Sequence, residues 1–159
     1  MSSSRQISKQ RLQMRGVFLY SKDLPISNMK KLHYLTYENV LMIHDTILRT
    51  FGGLAWVKNP WQLESVLHHI QNDEYYPTII EKASHLFFWL IQFHTFNDGN
   101  KRTALLSLHT FFILNEIYLE DFVIKMEDIA IWVAKWEIKK EELIKIFRSM
   151  FLSFGYNVS

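Results

Sequence analysis

Two apolar stretches, "ASHLFFWLIQF" at residues 83–93 and "LLSLHTFFILN" at residues 105–115, stand on either side of a nine-residue polar strip, "HTFNDGNKR". In each stretch apolar residues fall on nearly every face of a helix, the pattern of a helix buried all round and not of one with a single apolar stripe. Two such helices joined by a short polar link fold back on each other as a hairpin at the centre of the molecule. The strip then sits at the tip of that hairpin, facing either water or a ligand.

The whole chain has 159 residues, enough for one domain with a real core. Nearly half of it is hydrophobic (48%), with five glycines and three prolines, so it packs as a globular protein and does not stay disordered. The absence of cysteine excludes a disulfide framework, a thiolate metal site and a thiol nucleophile. The longest apolar runs are broken by His85, Gln92 and His109. They fall short of the roughly 20 residues that a spanning helix needs. A soluble, cytoplasmic protein without membrane contact is expected.

The net charge of +2 is unevenly spread: residues 1–35 hold seven Lys or Arg against one acid, and residues 36–159 hold eleven against fifteen. The leader has the Ser and Arg enrichment of a mitochondrial targeting segment and lacks the apolar core of a secretory signal. We read residues 1–31 as a basic, disordered or partner-binding extension, and residues 32–159 as the folded domain.

Along that domain the periodicity is helical, with little alternation of the kind a strand shows. Val40, Leu41, His44, Ile47, Leu48 and Phe51 share one helix face, which Thr36 caps and "GG" at 52 and 53 ends. Asn59 and Pro60 open a short helix with Leu63, Val66, Leu67 and Ile70 inward. The polar segment 69–78, "HIQNDEYYPT", reads as an exposed loop or short hairpin. Two more helices follow, one around Met126–Trp136 and one from about Lys139 to Phe154. The fold class is all-α, and the Met, Phe and Trp residues on these helices are core.

The strip itself has the makings of an anion site. Gly99 and Asn100 stand at the start of an apolar helix, where free N–H groups and the helix dipole favour negative charge. Lys101 and Arg102 add cations, the one a mobile point charge and the other a planar fork for phosphate oxygens. Asp98 opposes the same anion, and makes sense beside phosphates chiefly by holding a hard divalent ion such as Mg²⁺. An imidazole at His94 suits the removal of a proton from a hydroxyl near neutral pH. Phe96, between polar neighbours, turns inward and pins the loop. The plainer alternative is an ordinary turn, with Asp98 as a cap and the two cations solvated.

"HTFNDGNKR" resembles the signature of the Fic/Doc family, H-x-F-x-(D/E)-(G/A)-N-(G/K)-R, and the likeness to the death-on-curing type runs from about Leu32 to Glu120 through "YLTYENVLMIHDTIL", "FGG", "NPWQLES" and "YPTIIEKASHLFFWL". The resemblance implies a compact helical Fic fold that moves part of a nucleotide, ATP with Mg²⁺, onto a protein hydroxyl. It gives His94 the role of general base and Phe96 that of packing anchor. Asp98 becomes the Mg²⁺ ligand, with Gly99, Asn100, Lys101 and Arg102 around the phosphates. Members that attach AMP usually have glycine where Lys101 stands, and the death-on-curing kinase, which acts on a translation factor, has lysine. Phosphoryl transfer is the favoured reaction, AMP transfer the alternative, and a non-catalytic interaction module the rival from another class. The departures are Gly99 for alanine, Thr95 for proline and Trp56 for glycine.

In the family a flap lines up the target segment by backbone pairing, and by that resemblance Asn72, Asp73, Glu74, Tyr75 and Tyr76 are the candidates. The self-inhibitory pattern (S/T)-x-x-x-E-(G/N) is absent from this sequence: Glu38 is the only Glu followed by Gly or Asn, and Tyr34 stands four residues before it. Inhibition is therefore expected from a separate antitoxin chain, the protein acting as a toxin; no nucleic-acid partner is expected. His44 and His109 are expected to be hydrogen-bonded core histidines. His68 and His69 lack the spacing of a zinc site.

Overall fold

A computed structural model describes residues 25–29 and 31–159. It has six α-helices and no strand among the described residues: α1 (Tyr37–Phe51), α2 (Pro60–His69), α3 (Ile79–Gln92), α4 (Asn100–Leu114), α5 (Phe122–Ala134) and α6 (Lys140–Ser153). The all-α reading holds. No described helix is long and apolar enough to cross a membrane.

The helix starts follow from local chemistry. The Thr36 hydroxyl accepts from the Asn39 N–H, while the Asn39 side chain accepts from the Thr36 N–H, so α1 begins with two otherwise orphaned donors satisfied. Thr78 and Glu81 do the same for α3. Gly52 ends α1 in a left-handed conformation that glycine adopts without strain. Asn59 caps α2 by position, without a side-chain bond to the helix.

The buried hairpin is α3 and α4. Of the fourteen residues of α3 only Glu81 and Trp89 escape burial, because the helix packs against α2, α4, α5 and α6. Phe87, Phe112 and Phe147 meet edge-on at the junction of α3, α4 and α6. Gln92, at the end of α3, donates a hydrogen bond to the Val133 carbonyl near the end of α5. The amide of Asn115 clasps both the N–H and the carbonyl of His33, tying the end of α4 to the segment that leads into α1.

Two details differ from expectation. Helix α5 starts at Phe122, four residues before Met126, after a left-handed Asp121, and gives way before the left-handed Trp136. Phe51 is 59% exposed: it is the last residue of α1, where the apolar face has already run out of the core. Of the two alternatives for segment 69–78 the loop holds: His69 ends α2, and the residues after it close in successive turns. The basic extension lies mostly outside the described residues. Its last part does not: Ile26 is buried and its N–H donates to the Asn157 carbonyl, which fixes residues 25–29 against the C-terminal segment.

Candidate active site

The polar strip lies at the tip of the α3–α4 hairpin, and three side chains shape it, two of them buried and that of Asn100 half-buried. Phe96 is 1% exposed and stacks on the His44 imidazole at 3.8 Å between ring centroids. His44 Nε2 donates to the Asp98 carbonyl at 2.9 Å. Asn100 folds its amide back on Phe96, donating to its carbonyl at 2.8 Å and accepting from its N–H at 3.0 Å. Gly99 has φ +76, a left-handed backbone that turns the chain into α4; a side chain there has room but not the conformation.

Asn100 thus has two parts to play, one for its side chain and one for its backbone. Its side chain holds the loop, and what it offers an anion is its backbone N–H at the helix start. The first intrahelical bond of α4 runs from Thr103 N–H to the Gly99 carbonyl, so the N–H groups of Asn100, Lys101 and Arg102 have no partner within the helix.

Those residues border a cavity of about 500 Å³. Asp98, Gly99, Asn100, Lys101 and Arg102 form one side, with Phe51 beside them. Leu105 and Leu106 continue that side along α4, and Val123, Glu127, Ala130 and Ile131 of α5 supply the rest of the lining. The volume falls within the range of small-molecule clefts. The Arg102 guanidinium lies 4.2 Å from the centre of the Phe51 ring, which explains why that phenyl stays at the surface. Asp98 Oδ1 accepts from the Gly99 N–H at 2.8 Å, and a Cβ built on Gly53 would come within 2.7 Å of Asp98 Oδ2. Glycine at 53, with φ +124, is what gives that carboxylate space.

His94 stands at the end of α3, exposed, with a left-handed backbone (φ 46). It does not line the cavity, and stands four residues before Asp98, which does. The structure therefore brings five of the expected residues around one cavity, and His94 is not among those that line it.

The expected flap is in the wrong place. Residues 72–76 precede α3, and at 1.5 Å per residue its fourteen residues put about 20 Å between them and the strip. They are also tied down: buried Lys82 donates to the Ile70 carbonyl at 2.8 Å and to Asp73 Oδ1 at 2.7 Å, and Asn72 Oδ1 accepts from the N–H groups of Glu74 and Tyr75. The segment that does pair with the strip is 56–58. Lys58 N–H donates to the Thr95 carbonyl at 2.7 Å and Asn97 N–H to the Trp56 carbonyl at 2.8 Å, around a single antiparallel bridge between Val57 and Phe96. In that register the Val57 N–H and carbonyl point away from the strip and leave an open edge. The signal in the sequence was slight: "FGG" followed by the short β-prone run "AWV".

Among the histidines, His44 is a hydrogen-bonded core residue as expected. His109 stacks on Phe122, and burial pushes its pKa down. Among the described residues no group of three His, Cys, Asp or Glu is placed to hold a metal by itself.

The profile of the Fic/DOC family matches residues 34–112, a span that takes in α1 to α3, the strip and most of α4. Over 123 residues the chain is 25% identical to Protein kinase doc of Escherichia phage P1, an alignment covering 76% of this chain and 97% of the phage protein. The two comparisons and the six-helix fold agree with the motif at residues 94–102, and the chain belongs to the Fic/Doc family.

Proposed function

We propose that the chain transfers the terminal phosphoryl group of ATP to a Ser, Thr or Tyr hydroxyl of a protein. The observation that carries this reading is the cavity at the start of α4, with Lys101 and Arg102 on its rim and unpartnered N–H groups at its floor. A triphosphate fits that electrostatic setting, and the apolar walls between α4 and α5 suit a nucleoside.

Asp98 is the single carboxylate beside the phosphate positions, and Gly53 leaves its Oδ2 open. That suits Mg²⁺, which takes one or two carboxylates and completes its shell with phosphate oxygens and water. The ion would supply charge neutralisation on the transferring phosphate. His94 takes the proton from the acceptor hydroxyl, and the oxygen attacks phosphorus. The bond from phosphorus to the bridging oxygen breaks, and ADP leaves.

Two observations favour phosphoryl over AMP transfer. His94 lies outside the cavity, so with the nucleoside between α4 and α5 the phosphate that reaches it is the one farthest from the sugar. Lys101 occupies space at the phosphate end that glycine would leave free. The name of the phage relative, a protein kinase, points the same way. The open edge at Val57 serves as the flap on which a target segment pairs by its backbone, in place of residues 72–76.

In this reading the protein is a cytoplasmic toxin, restrained by a separate antitoxin chain, and a translation factor is a natural target. Incubation with a cell lysate and ATP labelled separately at the α and γ phosphates is the test. Transfer of the γ label alone supports the proposal; the α label identifies an AMP transferase, and neither label leaves a binding module.

A further inference from the structure

The cavity has two unlike sides, and only one is accounted for by phosphate. The α5 side presents Val123, Glu127, Ala130 and Ile131, which at spacings of four, seven and eight share one helix face. That face is apolar except for one carboxylate. Glu127 forms no ion pair or hydrogen bond among the described residues, although Lys101 and Arg102 line the same cavity.

Its position along the cavity follows from how α4 and α5 pack. Phe122, the first residue of α5, stacks on His109 at 5.6 Å and meets Phe112 edge-on at 5.4 Å. The two helices are therefore antiparallel, with the start of α5 against the far half of α4. Five residues on from Phe122, Glu127 comes level with Leu105 and Leu106, about 8 Å along the axis from Asn100 at 1.5 Å per residue. Val123 lies one turn farther still. From the strip outwards the cavity offers cations and free N–H groups, then a lone acceptor, then an apolar wall.

A carboxylate only accepts hydrogen bonds. Phosphates would repel it, and the faces of a base would gain nothing from it. Two neighbouring hydroxyls would satisfy both of its oxygens. We infer that Glu127 binds the ribose 2′ and 3′ hydroxyls of the nucleotide, so that the site selects ribonucleoside over deoxyribonucleoside triphosphates. This rests on the nucleotide reading above and assigns the sugar its place within it.

Calorimetric titration of the full chain with ATP, 2′-deoxy-ATP and inorganic tripolyphosphate, each with Mg²⁺, tests it without relying on turnover. The wild type is expected to bind ATP about tenfold more tightly than 2′-deoxy-ATP, the scale of one hydrogen bond to a charged group. Glu127→Ala is expected to bring the two within about twofold, with Glu127→Gln between them. Tripolyphosphate binding should survive Glu127→Ala undiminished and weaken in Lys101→Ala. Glu127 is solvent-exposed, so both of its variants should fold. An equal affinity of the wild type for ATP and 2′-deoxy-ATP, or a preference that persists in Glu127→Ala, overturns the assignment while leaving the phosphate end intact. Failure of both ATP and tripolyphosphate to bind the wild type overturns the nucleotide reading and this inference together.

Discussion

The two ends of α3 carry similar residues and use them in opposite ways. At the N-terminal end, Lys82 and His85 sit beside aromatic rings and turn inward: Lys82 is 1% exposed and spans two acceptors, one of them the carboxylate of Asp73 at the surface. His85 is buried against Tyr76, with ring centroids 4.5 Å apart. At the C-terminal end His94, Asp98, Lys101 and Arg102 face solvent or the cavity, and the inward bonding is left to His44, Phe96 and Asn100. Ionisable groups mark a reactive site where other residues hold the backbone for them. Where they hold it themselves they are structure.

Removing His94 should have the largest effect. His94→Ala is expected to lower turnover by roughly 10³-fold, the usual scale for a positioned general base. The side chain is exposed and forms no hydrogen bond or ion pair among the described residues, so stability should stay within about 0.5 kcal/mol. Label transfer and a thermal melt on the same sample check both halves, and turnover within threefold of wild type would remove His94 from the mechanism.

At the other end the dominant effect should be on stability and should depend on pH. Burial, with smaller contributions from Lys140 and His69, pushes His85 down to about 4. Between that value and the unfolded value near 6.5, the unfolded chain binds a proton that the folded chain refuses. The contribution of neutral His85 is therefore complete above pH 6.5 and is lost as pH falls towards 4, by up to about 3 kcal/mol. Denaturant midpoints across that range measure it, and His85→Phe should flatten the slope.

Lys82→Met sharpens the contrast further. It keeps the buried stem and removes both bonds, leaving the Ile70 carbonyl without its donor while the mostly exposed Asp73 returns to water. The expected loss is about 2 kcal/mol. Turnover per folded molecule should not change; a fall of tenfold would restore residues 72–76 as the target-docking flap.

How far these differences could be read in advance depended on the range of the interactions involved. The α3–α4 hairpin was legible because burial on all faces is written in consecutive residues. The strip was legible because its motif is local, and the caps at Thr36 and Thr78 are bonds between neighbours three residues apart. Segment 56–58 was not, since its pairing with Thr95 and Asn97 is a backbone contact across about forty residues that leaves almost no side-chain pattern. A run of Asn, Asp and Tyr reads alike whether its groups are free or, as in 72–76, bonded to a buried lysine. Glu127 belongs to the same class: its face of α5 acquires meaning only when α4 packs opposite.

His44 tests the claim at its finest grain, because it joins the two kinds of residue. It is buried like those at the N-terminal end of α3, yet its one hydrogen bond reaches the backbone of the strip at Asp98. His44→Phe keeps a ring to stack on Phe96 and removes only the donor. The cost to stability should be small, about 1 kcal/mol for one lost hydrogen bond. With the Asp98 carbonyl released, the peptide that presents both the carboxylate and the Gly99 turn can rotate, so the KM for nucleotide should rise several-fold while kcat falls less. A variant with stability lowered and KM unchanged would mean that Phe96 and Asn100 suffice to hold the strip, and that His44 is packing alone.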